Sequence, residues 1–343
     1  MKKYFRIFLT VIIALAIACA LFVYYLFLTP NISLLHRERP FVFIATGANF
    51  KAVLQSLDTS VTVRSKFTFG LACGLLRYPR QVHAGRYKVH SGMTNFALIK
   101  LLRSGVQSPV NLVFNSTRSQ EQFAERVSQQ LEVTHDSVLY LLNNNKFLSR
   151  FELNSNTALT LFIPNTYQFF WNTSANSFFE RMKTEHDKFW NDERKQKAKA
   201  KGLSETETAI LASIVEQETQ RNDEKPILAG VYMNRLKKNM KLDADPTLVF
   251  ALGDYTINRV LNGHKQIDSP YNTYKYSGLQ PGPICIPSIA SIDAVLNRVS
   301  HNYLYFCAKD DFSGYHVYAS TYPQHQINAR RFHAALNRRG IRK

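Results

Sequence analysis

At 343 residues, with 45% hydrophobic and 13% aromatic content, the chain is long enough for about two domains with full-sized cores, and no long low-complexity tract marks it as disordered. A formal net charge of +18 would raise nucleic acid as a partner in a cytosolic protein; behind an N-terminal membrane span that reading is excluded, and lipid head groups and wall polymers are the polyanions left. The four cysteines share no metal-type spacing and no His pair stands at i, i+4 beside a Glu, so no structural metal is expected.

From Ile7 to Leu28 run 22 residues without a charge. As a helix rising about 1.5 Å per residue they reach about 33 Å, enough for a hydrocarbon core of about 30 Å. Lys2, Lys3 and Arg6 precede the run, so the positive-inside rule keeps the N-terminus in the cytoplasm and exports everything after Pro30. Residues 1–30 are therefore expected to be a single-pass plasma (inner) membrane anchor with an extracytoplasmic body. A cleaved signal peptide has an apolar core of only about 7–15 residues. Ala16-Ile17-Ala18 could serve as its cleavage site, and Cys19 gives a faint lipoprotein box, but nine more apolar or aromatic residues follow Cys19.

Phe41–Ile44 reads as a strand, Gly47 as a turn, and Val53, Leu54 and Leu57 as one face of a helix. Ala84–Val89 predicts a second strand, Ser91-Gly92 a turn, and Thr94 caps a helix running to Gly105. Residues 31–107 are expected to form a small α+β module similar to LysM modules, which bind N-acetylglucosamine-containing glycans; the same composition suits a plain spacer. From Ser108 the pattern changes. Val110–Phe114 is strand-like, Ser116–Leu131 and Asp136–Asn143 read as helices, and Ser174–Lys201 as one long polar helix. Tyr303–Cys307 is strand-like, Pro-Gly loops such as Gly278–Pro287 interrupt the last third, and Arg330 to Lys343 form the densest basic patch. Residues 108–343 are thus a mixed helix–strand domain, and the whole chain is α+β.

Ser204-Glu205-Thr206-Glu207 has the form of a capping box and opens an apolar-periodic run to about Gln220. At about 100° per residue, Leu203, Ile210, Leu211, Ile214 and Val215 share one face and Glu218 falls near its middle. Glu216 falls on the other side with Glu205 and Ala209, which predicts a surface position. A carboxyl on the apolar stripe is costly to ionise, so its pKa rises toward that of a general acid working near neutral pH. The same position also suits a buried glutamate that pairs with an arginine or caps a loop.

The run Leu211 to Thr219 resembles the signature of the MltG (YceG-like) endolytic murein transglycosylases. So do Val231-Tyr232-Met233-Asn234-Arg235-Leu236, Leu242 to Thr247, Ser269-Pro270-Tyr271-Asn272-Thr273-Tyr274, Gly278 to Ile284 and Tyr303 to Phe306, in that order. With the anchor and the LysM-like region, the resemblance covers nearly the whole chain. It implies cleavage of MurNAc–GlcNAc β-1,4 bonds in nascent glycan strands with a 1,6-anhydro-MurNAc end, a role in terminating strand elongation, Glu218 as the acid–base catalyst, and no cofactor. Asn234, Asp245, Tyr271, Asn272, Thr273 and Tyr274 are candidate substrate contacts: Asn234 and Asp245 as site walls, the tyrosines by stacking on sugars, and Asn272 and Thr273 by hydrogen bonds to acetamido groups. Each also has a structural alternative: a cap for Asn234 or Asp245, core packing for a tyrosine. The implied partners are peptidoglycan strands and the membrane, with peptidoglycan synthases as candidate protein partners and no nucleic acid. Rival readings are a non-catalytic glycan-binding scaffold and a hydrolytic muramidase. Asn165 stands where the family typically has an acidic residue, His316-Val317-Tyr318 and His325-Gln326 only approximate its late histidine pattern, and Arg64–Arg80 aligns to nothing in it.

Overall fold

The computed structural model describes residues 2–257 and 259–340. The chain divides into two compact units: the first holds the chain up to Leu112 with Gln130–Val133 and Gln168–Ser174, and the second holds Val113–Gln129, Thr134–Tyr167 and the chain from Ala175 onward.

The first unit opens with α1 (Lys2–Leu28), apolar and long enough to cross a membrane. Strands β1 (Ile32–Leu34) and β2 (Phe41–Ile44), helix α2 (Phe50–Ser60), strand β3 (Val61–Val63), helix α3 (Lys66–Leu75), strand β4 (Gly85–Lys88) and helix α4 (Asn95–Ser104) follow. β1 pairs antiparallel with β3, and β2 with β4 in the register Phe41 to Lys88 through Ile44 to Gly85. Asn49, Ser65 and Thr94 cap α2, α3 and α4 by accepting from an N3 amide, and Gly105 ends α4 in the left-handed conformation. The two paired strands and the helices at 50–60 and 95–104 fall where the sequence predicts them. Helix α3 is not legible there, because Gly70, Gly74 and Thr68 lower its propensity. Burial of Phe69, Ala72 and Cys73 in the unit's core holds it instead. Two outlying segments belong to this unit through Glu132, whose carboxylate accepts from the amide and hydroxyl of Thr46 at 2.6 Å each, and through Trp171, edge-on to Phe43.

The chain passes between the units within β5 (Val110–Phe114) and β6 (Asn165–Phe169), which enclose α5 (Gln120–Ser128), α6 (His135–Asn143) and α7 (Asn145–Leu148). After β6 come α8 (Ala175–Phe189), α9 (Asp192–Ala200), α10 (Glu205–Glu218), α11 (Lys225–Lys237), α12 (Asp245–Leu252) and α13 (Ile289–Leu296). The antiparallel hairpin β7 (Tyr305–Ala308) and β8 (His316–Ala319) and α14 (Tyr322–Arg338) complete the second unit. Phe123, Phe162, Phe178 and Phe179 form one aromatic cluster in it. The single helix expected over 174–201 is broken: Trp190 turns into the core and Asn191 caps a new helix by accepting from the amide of Arg194 at 3.0 Å. Of the basic tail, Arg330, Arg331 and Arg338 lie on α14, while Arg342 and Lys343 lie outside the described residues.

Helix α10 sets up the site. Ser204 and Glu207 form the expected reciprocal capping box. Thr208 to Val215 are then buried without interruption, because α10 runs through the middle of α11, α12 and α13 rather than lying on a surface. The one-sided stripe read from the sequence is therefore corrected to burial all round, and Ala209, placed on the polar side, is 3% exposed.

Candidate active site

Glu218 is the last residue of α10, and Thr219 leaves the helix in extended conformation. A carboxylate there faces the negative end of the helix dipole, which favours the protonated form. The residue is half-buried and borders two cavities. One, of about 340 Å³, is lined by Arg118, Gln217, Asp245, Phe250 and Tyr255 among others. The other, of about 480 Å³, is lined by Thr219, Arg221, Tyr315 and His316. Burial raises the pKa of Glu218 to about 7; a hydrogen bond from Tyr232 opposes the rise, the charge of Asp245 adds to it and Arg235 counters it. The Tyr232 hydroxyl donates to Oε1 at 2.5 Å, and its own proton is held tightly by burial and by the adjacent carboxyl.

Two predicted residues join this carboxyl. Asp245, the first residue of α12, lines the same cavity, and its Oδ1 accepts from the hydroxyl of Tyr274 at 2.5 Å. The approach to it is fixed by Arg235, whose guanidinium donates to the carbonyls of Lys241, Leu242 and Leu304 and to the Asp243 carboxylate. Tyr271 packs one layer behind, tilted against Phe250 with ring centroids 4.7 Å apart.

The other three make structural contacts. Asn272 is fully buried; its amide donates to the carbonyls of Lys265 and Ile267 and its oxygen accepts from the Tyr274 amide, so nothing is left for a sugar acetamido group. Thr273 is 2% exposed, and its hydroxyl is shared between the Ala244 amide and Thr247. Asn234 donates to the carbonyls of His301 and Tyr303 and braces that loop. Polar side chains in a motif are as readily spent on fixing its turns as on ligand. Gly282 is one such fixed point: a Cβ there would lie 2.0 Å from the Asn156 carbonyl oxygen.

Glu216 is also corrected. It is not a surface residue: its carboxylate, 14% exposed, pairs with Lys225 at 3.1 Å and accepts from the hydroxyls of Ser288 and Ser291 at the start of α13. Burial alone would push its pKa up, but the two hydroxyls and the Lys225 ammonium outweigh it and hold the group below the ordinary value.

Sequence reasoning missed Tyr232, Arg118, Tyr255 and Glu224. Tyr232 and Arg235 are spaced i, i+3 on α11 and so share the face turned to Glu218, whereas Asn234 falls about 200° from Tyr232. That phase was the available signal. Glu224 is 4% exposed and accepts from the His316 amide at 2.7 Å, the His316 ring, Tyr318 and Thr219. It ties the residue after Glu218 to the β7–β8 hairpin, and no local pattern announces it.

Tyr232→Phe should raise the pKa of Glu218, because it removes the hydrogen bond that lowers it. The alkaline limb of any reaction that needs the Glu218 proton should then move to higher pH. A pH–rate profile of the two proteins checks this; an unmoved limb would mean that Tyr232 does not set the proton affinity.

Fold and site together define an α+β protein with an apolar N-terminal helix and a half-buried carboxyl of raised pKa at a helix end beside two cavities. The chain belongs to the YceG-like family, whose model matches residues 42–331. It is 28% identical over 312 residues to the endolytic murein transglycosylase of Bacillus subtilis (strain 168), covering 86% of this chain and 85% of that protein. It is 27% identical over 317 residues to the endolytic murein transglycosylase of Streptococcus pneumoniae serotype 2, covering 84% of this chain but 57% of that longer protein. Among solved structures, a yceG-like protein of Listeria monocytogenes superposes with a TM-score of 0.58 at 25% identity, over 84% of this chain and 97% of that one.

Proposed function

We propose that this chain is an endolytic murein transglycosylase that cleaves MurNAc–GlcNAc β-1,4 bonds within peptidoglycan strands. The observation that carries the reading is Glu218, with a pKa of about 7, at a helix end that borders two cavities, in a member of a family whose relatives bear that name. Protonated Glu218 delivers its proton to the leaving glycosidic oxygen. The resulting carboxylate takes the proton of the sugar's own 6-hydroxyl as that oxygen closes on C1, leaving a 1,6-anhydro end. No water and no second carboxylate enter. Tyr232 occupies Oε1 and leaves Oε2 for the substrate.

Asp245 favours one rival, because it brings a second carboxylate to the same cavity, as a hydrolytic muramidase requires. Product masses separate the readings: anhydro ends support ours, reducing ends the hydrolase, and no cleavage a glycan-binding scaffold. Termination of strand elongation, and peptidoglycan synthases as partners, extend the same proposal. Release of shorter nascent strands on overexpression would support both, and unchanged strand length would count against them.

The charge asymmetry around α1 supports an inner-membrane anchor with a cytoplasmic tip and an exported body. A reporter fused after Lys343 should work only outside the cytoplasm. In the first unit, two helices between the paired strands β2 and β4, with the short β3 between the helices turned away to pair with β1, support a LysM-like module that binds glycan or serves as a spacer. Sedimentation with murein sacculi that survives moderate salt would favour binding, and loss of it a spacer.

A further inference from the structure

Helix α3 lies in Arg64–Arg80, and none of the functions above uses it. Its inner face, Thr68, Phe69, Ala72 and Cys73, is buried. Its outer face repeats every four residues as Phe67 (77% exposed), Leu71 (37%) and Leu75 (60%), with Gly70 and Gly74 between them. No charged residue interrupts the face from Phe67 to Leu76. Water is a poor environment for three large apolar side chains in a row.

The position of α3 along the membrane normal is set within the first unit. The uncharged run of α1 ends at Leu28, so Leu26 and Phe27 sit at the outer edge of the hydrocarbon layer. The Asn95 amide donates to the Leu26 carbonyl at 2.8 Å and lies 3.4 Å from the Thr68 hydroxyl of α3, tying the last turn of the span to α3 and α4. Phe27 also meets Phe96 of α4 edge-on, at 6.5 Å between ring centroids. An element packed against the last turn of a span is within about one helix diameter, about 10–12 Å, of that boundary. Charge agrees with this placement: Arg64, Arg77 and Arg80 are exposed at the two ends of α3, and no acidic residue stands between Asp58 and Glu121.

We propose that α3 is an interfacial membrane helix: its Phe67–Leu71–Leu75 face enters the outer leaflet beside the anchor, and the flanking arginines meet anionic lipid head groups. Such helices bury their apolar face about 5–10 Å into the boundary between head groups and acyl chains. A single span leaves the body free to tilt and rotate about its axis. A second contact beside it fixes the first unit against the bilayer. The proposal rests on the reading of α1 as a membrane anchor.

The test uses the full chain in vesicles of phosphatidylethanolamine and phosphatidylglycerol, with tryptophan introduced as Phe67→Trp or, separately, Leu71→Trp. Both positions are exposed, so neither change disturbs the core, and the parent protein with Trp171 and Trp190 sets the background. The added emission is expected to be blue-shifted and to lose most of its intensity when the acyl chains carry bromine. A chain that floats with the vesicles while its new tryptophan emits as in water, untouched by bromine, overturns the proposal and leaves the anchor standing. Shielding that grows with protein density without bromine quenching also overturns it, because a second copy would then cover the face. A chain that does not float at all overturns the anchor and this proposal together; neither result bears on the cleavage products, which are read separately.

Discussion

Glu218→Gln is expected to fold like the parent and to release anhydro-ended fragments at least about 10²–10⁴-fold more slowly, the usual worth of general acid–base catalysis. The amide keeps the length and shape of the side chain at the end of α10 and can still accept from Tyr232, so the contacts that hold the residue survive. What is lost is the transferable proton. Because the folded pKa is about 7, the parent should be fastest where Glu218 is protonated and should slow as pH rises through 7. The residual rate of the glutamine variant should show no such limb. Asp245→Asn sharpens the result. Removing that charge lowers the Glu218 pKa, so the limb should move to lower pH while anhydro product still forms. Mass spectrometry of digested sacculi reads both variants. An Asp245→Asn protein as inactive as Glu218→Gln would instead favour the two-carboxylate hydrolytic reading, and an active Glu218→Gln protein would remove the single-glutamate mechanism altogether.

Local signals carried the chain a long way. Capping at Thr94 and Ser204, the glycine after α4 and the uncharged run of α1 are written within a few residues of where they act, and each is found in place. The break at Trp190 and the existence of α3 are decided by burial against distant segments, so local propensity misleads there. The site shows the same division. Glu218 is legible as a carboxyl on a helix that becomes buried, but the partner that holds it, Tyr232, comes from the next helix, two residues before Asn234 and on the opposite face. Asn272 and Thr273 mislead for a related reason. Their chemistry suits a sugar, yet Asn272 is bonded to backbone groups of its own loop and Thr273 to the Ala244 amide and the Thr247 hydroxyl at the start of α12. Helical phase places Glu216 on a wet side only where a helix has one, and α10 has none over Thr208–Val215.

That burial gives Glu216→Gln a large effect on stability in place of a mild one on the surface. Lys225 is 4% exposed at the first turn of α11, where the helix dipole already disfavours a cation, and Glu216 is the carboxylate paired with it. Taking one partner from such a pair leaves an uncompensated charge in the interior and typically costs about 3–5 kcal/mol. The Ser288 and Ser291 hydroxyls lose their ionic acceptor in the same step, which loosens the start of α13 against α10. Thermal unfolding of the second unit should therefore occur at a clearly lower temperature in Glu216→Gln. Adding Lys225→Met should recover part of the loss, since it removes the orphaned charge rather than restoring the pair. The pH dependence follows from the sign of the shift. Glu216 titrates below the ordinary glutamate value of 4.5, so its contribution is complete above that pH and fades as pH falls through the folded value. The parent and Glu216→Gln should accordingly converge in stability in acid and diverge toward neutral pH. Curves that stay parallel across that range, or a double variant no better than the single one, would show that the ion pair is not what holds α10, α11 and α13 together.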